Sequence, residues 1–149
     1  MKNCIVIFII LLNSLAVCSQ NVYKKVYKYG EYNDNWAMVK TISGTYGFIN
    51  REGQVVLPAI YSKVYKFGEY GADFALVRSI SGMYGLINKE GKGVVPTIYA
   101  KIEKFDTVIS GAAIVKSISG NYGAINRDGK EIIPTTYKRD EVVQRAKTL

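Results

Sequence analysis

One feature of the sequence constrains the fold more than any other: an eleven-residue segment that occurs three times. SGTYGFINREG at 43–53 returns as SGMYGLINKEG at 81–91 and as SGNYGAINRDG at 119–129. The copies are spaced by 38 residues both times, and the similarity extends without a gap over 26–63, 64–101 and 102–139. Self-similarity at a fixed period of this length predicts a repeat architecture, in which each unit is one small piece of supersecondary structure.

Within each repeat, the residue pattern is that of short β-strands joined by tight turns. The segments WAMVKTI, FALVRSI and AAIVKSI carry alanine and valine at period two, which predicts a strand with one face turned to a core. A Ser-Gly pair then predicts a hairpin, and NREG, NKEG or NRDG predicts a type I turn closed by a left-handed glycine. We expect the next strand to stop at proline, which has no N–H to donate to a sheet ladder and therefore belongs at a strand end or at a sheet edge.

These repeated positions are expected to be structural, with glycine for the turns, tyrosine for packing and proline for a strand end. They are Gly44, Tyr46, Gly47, Gly53 and Pro58 in the first repeat, Gly82, Tyr84, Gly85, Gly91 and Pro96 in the second, and Gly120, Tyr122, Gly123, Gly129 and Pro134 in the third. The segment after each proline is expected to add a further strand that buries Tyr61, Tyr99 or Tyr137.

The units predict an all-β fold, an open array of three 38-residue β-hairpin repeats. The alternative is part of a β-propeller, whose blades have a similar length, although closure takes about four blades or more. Residues 20–25 match the tail of a repeat, so we expect them to form an edge strand that covers the first unit. Residues 140–149 form either a tail or a capping helix, with Asp140 as its N-cap and one face made of Val142, Ala146 and Leu149.

The pattern A-x-V, then G-x-aromatic-G-x-I-N-x-x-G, then proline and tyrosine resembles the WG-repeat family of bacterial proteins. The resemblance covers 26–139, with Tyr46, Tyr84 and Tyr122 at the positions where the family usually has its signature tryptophan. It implies an all-β repeat protein without an established catalytic role, of a kind often found in exported proteins and thought to serve interactions.

The first nineteen residues have the layout of a secretory signal peptide. A basic start at Lys2 is followed by the apolar run CIVIFIILL and by small residues that end at Ser19. The run is shorter than the roughly 20 residues that span a bilayer. We therefore expect a secreted or periplasmic protein without a transmembrane segment in its mature chain. The alternative is a lipoprotein anchored through Cys18, because LAVC resembles a lipoprotein cleavage site.

Residue types limit the chemistry that the mature chain can perform. Histidine is absent, and both cysteines, Cys4 and Cys18, lie in the leader. Ser-His and Cys-His nucleophilic pairs therefore cannot be built after cleavage. The acidic residues lie in turns without the spacing of a calcium loop. The sequence predicts a non-enzymatic protein with no cofactor, metal or catalytic residue.

The charge balance indicates the kind of partner. Without Lys2 the chain has 19 basic and 12 acidic side chains, a net charge of about +7. Such a balance favours an anionic cell-envelope component or an unidentified acidic protein, or serves solubility alone. Export makes nucleic acid an unexpected partner. Four basic columns recur at equivalent positions, and they begin at Lys28, Lys40, Arg51 and Lys63.

Aromatic residues distinguish the first two repeats from the third. Trp36 and Phe74 correspond to Ala112, and two tyrosines of each earlier repeat are replaced as well. These positions either pack against a neighbouring unit, with the third repeat as a terminal cap, or contact a ligand. The candidate contact surface, for a protein or an envelope component, or for a glycan stacked on the rings, consists of Tyr27, Tyr32, Trp36, Tyr65, Tyr70 and Phe74, flanked by Lys28 and Lys66.

Overall fold

The computed structural model describes residues 23–148, so the predicted leader lies outside the described part of the chain. The described residues form twelve strands and one helix. The first sheet contains β1 (Tyr23–Val26), β2 (Ala37–Thr41), β3 (Tyr46–Ile49) and β4 (Val55–Tyr61). The second contains β5 (Lys63–Val64), β6 (Phe74–Arg78), β7 (Tyr84–Asn88) and β8 (Gly93–Tyr99). The third contains β9 (Lys101–Ile102), β10 (Ala112–Lys116), β11 (Tyr122–Asn126) and β12 (Glu131–Tyr137), and α1 (Arg139–Ala146) follows.

The three sheets are antiparallel meanders, and none of them closes into a barrel. The predicted all-β open array is therefore confirmed. Each sheet takes its first strand from the tail of the preceding repeat: only Ser62 separates the end of β4 from the start of β5. In the first sheet this place is taken by β1, and residues 20–22 of the predicted edge strand lie outside the described residues.

Both turn types have the geometry that the glycines predict. In the β2–β3 hairpin Gly44 has φ 88°, and its N–H donates to the carbonyl of Thr41 at 3.1 Å. In the β3–β4 hairpin Gly53 has φ 79°, and the side-chain oxygen of Asn50 accepts from the N–H of Gln54 at 2.8 Å. Residues that carry a side chain rarely adopt such positive φ values, so these turns require glycine where they end.

The prediction that a strand stops at proline was wrong. Pro58, Pro96 and Pro134 each lie inside a seven-residue strand. These strands are the last in their sheets, so one side of each has no ladder to maintain within its sheet. The register also shifts beside the proline: Tyr46 pairs with Tyr61, but Phe48 pairs with Leu57. An edge strand with a local irregularity is a position where proline is tolerated.

The glycine of each Tyr-Gly pair lies opposite this irregular stretch. A Cβ atom on Gly47 would stand 2.4 Å from the carbonyl oxygen of Leu57, and one on Gly85 would stand 2.5 Å from that of Val95. The outer strand can approach this closely only because the glycine has no side chain. The Tyr-Gly pair is therefore a site of close backbone contact rather than part of a turn.

Successive sheets pack face to face through unlike surfaces. Large side chains of the first sheet, including Phe48 and Leu57, contact small or branched side chains of the second, including Ala75 and Val77. The second and third sheets repeat this contact with Leu86, Val95, Ala113, Val115 and Ile125. A Cβ on Gly129 would stand 2.3 Å from the carbonyl oxygen of Val94, and one on Gly91 would stand 2.9 Å from that of Val56, so these two turn glycines also approach the preceding sheet.

Helix α1 covers the outer face of the third sheet. Val142 is fully buried against Ile114, Ala124 and Ile133. The expected N-cap at Asp140 was wrong, because the helix begins earlier and Lys138 holds the N-cap position. The N–H of Lys138 donates to the Glu141 carboxylate at 2.7 Å, which satisfies one of the unpaired donors at the helix start.

The close approach of the outer strand yields a stability prediction. Gly85→Ala should lower the free energy of unfolding by about 2–3 kcal/mol, because its methyl group must displace the β8 backbone. Gly93→Ala in β8 is the matched control, since a Cβ there meets no atom within 4 Å; it should change the value by less than about 1 kcal/mol. Urea unfolding of both variants measures the difference, and equal losses would contradict this account of the Tyr-Gly pair.

Candidate functional site

Trp36 and Phe74, two of the six candidate aromatics, lie in the packing between sheets. They are 8% and 6% exposed. The Trp36 ring centroid lies 5.5 Å from that of Phe48 and 6.0 Å from that of Phe67 in the second unit. Phe74 is 5.2 Å from Phe105 in the third unit. Both rings fill space between consecutive sheets and offer little surface to a partner.

The loss of this aromatic in the third repeat has a packing reason. Ala112 lies in the cluster beside α1, together with Ile109 and Val142. No further sheet follows the third one in the described chain, and the helix occupies that side. Trp36 and Phe74 pack on Phe67 and Phe105 of the following unit, and a ring at position 112 would have no such partner in the described chain. The third repeat is therefore a terminal unit at this position.

The remaining candidate tyrosines lie at or near pockets between consecutive sheets. Between the second and third sheets a pocket of about 440 Å³ is lined by Tyr65, Tyr70, Leu76, Tyr84, Ala100, Lys101, Ile102 and Lys116. Between the first and second sheets an equivalent pocket of about 300 Å³ is lined by Tyr27, Met38, Tyr46, Ser62, Lys63 and Val64. Tyr32 is half-buried, with its ring 5.2 Å from that of Phe48.

Burial at the larger pocket keeps a phenol neutral. Partial burial raises the pKa of Tyr70 above its usual value, and the nearby Tyr65, Tyr84 and Glu69 raise it further. The hydroxyl therefore stays protonated and can donate a hydrogen bond to an anion in the pocket. The ring centroids of Tyr65 and Tyr70 lie 6.1 Å apart in an edge-to-face arrangement. This wall of the pocket therefore offers apolar ring surface together with phenol hydroxyls.

The third repeat has an ion pair in place of the first tyrosine. Glu103 occupies the position of Tyr27 and Tyr65, and its carboxylate accepts two hydrogen bonds from Arg139, at 3.0 and 2.9 Å. Lys101 lies 3.6 Å away. The hydrogen bond from Arg139 lowers the pKa of Glu103 below its usual value, against a smaller opposing effect of burial.

Strand pairing brings two of the basic columns together. In every sheet a cation of the first strand lies directly opposite a cation of the second: Lys25 and Lys40, Lys63 and Arg78, Lys101 and Lys116. The third and fourth strands each continue the row with a tyrosine. These are Tyr46 and Tyr61 in the first sheet, Tyr84 and Tyr99 in the second, and Tyr122 and Tyr137 in the third. We call these twelve residues the basic rows.

The three basic rows lie at the same end of the stack. Each row stands immediately behind the hairpin between the second and third strands of its sheet. The link between sheets is also there, since Tyr61 ends β4 in the first row and Lys63 starts β5 in the second. We call this the basic end, and it comprises the rows and the hairpins at 41–45, 79–83 and 117–121.

Tyrosine rings partly offset the repulsion between the paired cations. Within the rows, charged groups lie over rings at 5.2 Å for Lys40 on Tyr46 and at 5.4 Å for Lys116 on Tyr122. Such contacts stabilise a cation by about 0.5–1 kcal/mol at exposed sites. Interaction with the neighbouring Tyr46 raises the pKa of Lys40 above its usual value, so this lysine remains charged.

The opposite end of the stack has a different electrostatic character. Its loops and hairpins carry acidic residues, and basic side chains there contact them: Lys89 pairs with Asp73 at 3.0 Å, and Arg127 pairs with Asp106. The Arg51 guanidinium donates to the carbonyl of Asp34 at 3.1 Å. Lys28 and Lys66, which were predicted to flank the contact surface, are exposed and follow the first strand of their sheets. The unbalanced positive charge therefore lies at the basic end.

Sequence reasoning identified the basic columns but not their pairing. It placed the Lys40 and Lys63 columns in the same repeats, whereas the structure pairs each tail lysine with the following unit. The tail copy before the first repeat was the signal, because Lys25 in that copy stands where Lys63 stands in the next. A strand that belongs to the following sheet brings these columns into one row.

The described residues offer little for metal chemistry or for crossing a membrane. Between residues 23 and 148, no group of three histidine, cysteine, aspartate or glutamate side chains is placed to hold a metal ion. Over the same stretch, no helix has the length and the apolar character needed to cross a bilayer. The arrangement at the basic end is suited to attracting and holding anions.

The ion pair of the third repeat predicts a pH dependence of stability. Because its pKa is lowered in the folded state, Glu103 stabilises the fold above the unfolded pKa, and this contribution is lost as the pH falls through the folded value. At pH 7 Glu103→Gln should lower the free energy of unfolding by about 1 kcal/mol. The difference should shrink below about pH 4.5.

Urea unfolding at pH 7, 5, 4 and 3 measures this difference. The exposed Glu90→Gln is the control, because it makes the same charge change on a turn residue with no ion pair among the described residues. A difference for Glu103→Gln that persists unchanged at pH 3 would contradict the assignment.

Comparison with known proteins gave one positive result. The family described as the WG containing repeat matches 46–79, 84–117 and 122–139, which together make up more than half of the chain. Each matched segment starts at the tyrosine of a Tyr-Gly pair. The first two segments run from one sheet into the next, and the third ends just after the third sheet. Comparisons with curated proteins and with solved structures gave no significant match. The matched segments, together with the repeated sheets, show that this chain belongs to the WG-repeat family.

Proposed function

We propose that the protein is an exported, non-enzymatic interaction module whose basic end binds an anionic component of the cell envelope or an acidic partner protein. One observation carries this proposal: every sheet places two cations directly opposite each other, in the same row and at the same end. Export is supported by the composition of residues 1–19, and a non-enzymatic role is supported by the lack of histidine in the chain.

Folding alone gives no reason for this arrangement. Like charges on directly opposed strand positions are destabilising, and the repeats incur that cost three times. A polar uncharged residue would fit the same exposed position without repulsion. The tyrosine rings, and in the third row the Lys101–Glu103 pair, offset this cost only in part, and residues that oppose stability are expected at functional sites. An anion bound between the two cations removes the repulsion and gains two favourable interactions.

The pockets add shape to this charge. The larger one combines Lys101 and Lys116 with the rings of Tyr65, Tyr70 and Tyr84. Cations, a phenol that stays protonated and ring surfaces together fit an anionic group attached to an apolar or cyclic body. The equivalent pocket of the first two sheets offers the same combination through Lys63, Tyr27 and Tyr46. A polymer or a protein surface with several anionic groups can engage both pockets.

Glycan binding through stacked rings is the second candidate function. The cluster of tyrosines in the larger pocket favours it, because aromatic faces stack on sugar rings. Tyr27 and Tyr65 are poor platforms on one side, however, because the amino groups of Lys25 and Lys63 lie 4.3 Å from their ring centres. A neutral glycan would rely on the rings alone, whereas an acidic one would also use the basic rows.

Neutralising one lysine in each basic row should weaken anion binding. In the triple variant Lys40→Gln/Lys63→Gln/Lys116→Gln, the affinity for poly-L-glutamate and for alginate should fall about 10-fold or more at 50 mM salt. The free energy of unfolding should stay equal or rise, because three like-charge contacts are removed. Calorimetric titration and urea unfolding measure the two quantities.

The control variant Lys92→Gln/Lys104→Gln/Lys130→Gln makes the same charge change with exposed lysines outside the basic rows. Its affinity should stay within about 2-fold of wild type if position matters more than net charge. Equal losses in the two variants would contradict a localised site. Binding of chitohexaose, a neutral glycan, that resists both variants and is lost on Tyr65→Ala/Tyr70→Ala would favour the stacking function instead.

A further inference from the structure

We infer that the anionic partner of the basic end is the surface of a phospholipid bilayer, into which the protein inserts the isoleucines at its three hairpin tips. The electrostatic part of this inference rests on the proposed function, and the identification of the anionic partner as a lipid bilayer goes beyond it. It starts from Ile42, Ile80 and Ile118, which occupy equivalent tip positions in the three hairpins of the basic end.

These isoleucines are among the most exposed apolar side chains of the described chain. Their exposed fractions are 78%, 76% and 73%. Each stands at the second position of a four-residue turn, before serine and glycine, where the turn itself does not need an apolar side chain. The residue is isoleucine in all three repeats and is followed each time by serine and glycine, although the residues on either side of this Ile-Ser-Gly segment vary.

Exposed apolar side chains are also concentrated at this end. Of the eight large apolar residues with high exposure between residues 23 and 148, five are isoleucines. Two of these, Ile60 and Ile98, directly precede the fourth-strand tyrosine of a basic row and are 58% and 54% exposed. Single exposed apolar residues are ordinary, but a concentration on one side marks an interaction surface.

The order of residues behind each tip matches the layers of a bilayer surface. The tip isoleucine comes first, and the cation of the second strand stands two residues behind it, as Lys40 does behind Ile42. Two strand residues correspond to about 7 Å, which lies within the roughly 5–10 Å to which apolar groups insert at the headgroup–acyl boundary. Tyrosine beside the cation is typical of the membrane–water interface. Lysine and arginine at this depth are attracted to anionic headgroups.

The described part of the chain begins at the same end. Tyr23, its first residue, lies opposite Thr41, the residue before the first tip. The first strand therefore starts at the basic end and runs away from it.

Charge and shape together favour a bilayer over a protein. The tips are convex turns separated by the stacking of the sheets, and fluid lipid adapts to separate convex points without a matching groove. Of the six paired cations, only Lys101 has an acidic partner among the described residues, Glu103 at 3.6 Å, so the rows complement a continuous anionic surface. Interfacial insertion of apolar side chains together with electrostatic attraction is a general mode of membrane binding.

Vesicle binding tests this inference. The protein is produced with its own leader, its amino terminus is determined by mass spectrometry, and vesicles of equal parts phosphatidylglycerol and phosphatidylcholine are sedimented with it in 100 mM salt. Ile42→Ser/Ile80→Ser/Ile118→Ser should lower the partition coefficient about 30-fold or more. The control Val55→Ser/Val108→Ser removes two exposed valines outside the basic end and should leave it within about 2-fold.

A second measurement is independent of any anchor that the amino-terminal segment supplies. Trp36→Phe removes the only tryptophan and introduces the residue that the second repeat has at this position. In that background Ile80→Trp should shift its emission to shorter wavelength on vesicles and be quenched by brominated lipid, whereas Val108→Trp should do neither. Ile80→Trp emission that stays unshifted and unquenched on vesicles to which the protein is bound would overturn the insertion.

The outcomes separate this inference from the proposed function. Loss of vesicle binding in the isoleucine variant with unchanged binding of poly-L-glutamate supports insertion at the tips. Binding of poly-L-glutamate or alginate by wild type without binding of vesicles overturns the lipid inference and leaves the proposed function standing. Equal binding to pure phosphatidylcholine overturns the electrostatic part. Failure to bind any of these probes overturns both.

Discussion

The structure depends on the packing of a large-residue face of one sheet against a small-residue face of the next. Phe48 and Leu57 contact Ala75 and Val77, and the same contact recurs between the second and third sheets. A two-sided contact of this kind needs a neighbour on each side of every unit. At the carboxyl-terminal side α1 provides the neighbour and buries Val142 completely. The aromatic at the Trp36 position belongs to this contact, so its change to alanine in the terminal unit follows from packing.

The same stacking produces the charge pattern at the basic end. Each sheet borrows its first strand from the tail of the preceding repeat, and this strand places a second cation opposite the one already present. Three repulsive pairs are tolerated because the cores between the sheets provide far more stabilisation than these exposed pairs remove. Stability and recognition are thus divided between the interior of the stack and one of its ends, and the isoleucine tips stand beyond that end.

Much of the fold could be predicted because the repeat shows which positions one local structure requires three times. The glycine turns, the strands and the open array follow from period and turn chemistry, as at Gly44 and Gly53. The strand that continues through Pro58 could not be predicted, because only the pairing partner reveals an edge strand with shifted register. The candidate surface mixed residues of two kinds. Trp36 and Tyr27 are both aromatic and lie nine positions apart, yet one is buried between sheets and the other lines a pocket.

The sequence by itself determined the repeat, its turns, its all-β character and the number of units, because these depend on residues close together in the chain. Only the tertiary structure decided which sheet faces meet and which aromatic residues are accessible. It also decided which of the four basic columns, those that begin at Lys28, Lys40, Arg51 and Lys63, share a row. Those properties depend on contacts between units. A strand that follows one repeat in the chain but pairs with the next sheet places its side chains in that sheet's register. The pattern within a single repeat does not show this pairing.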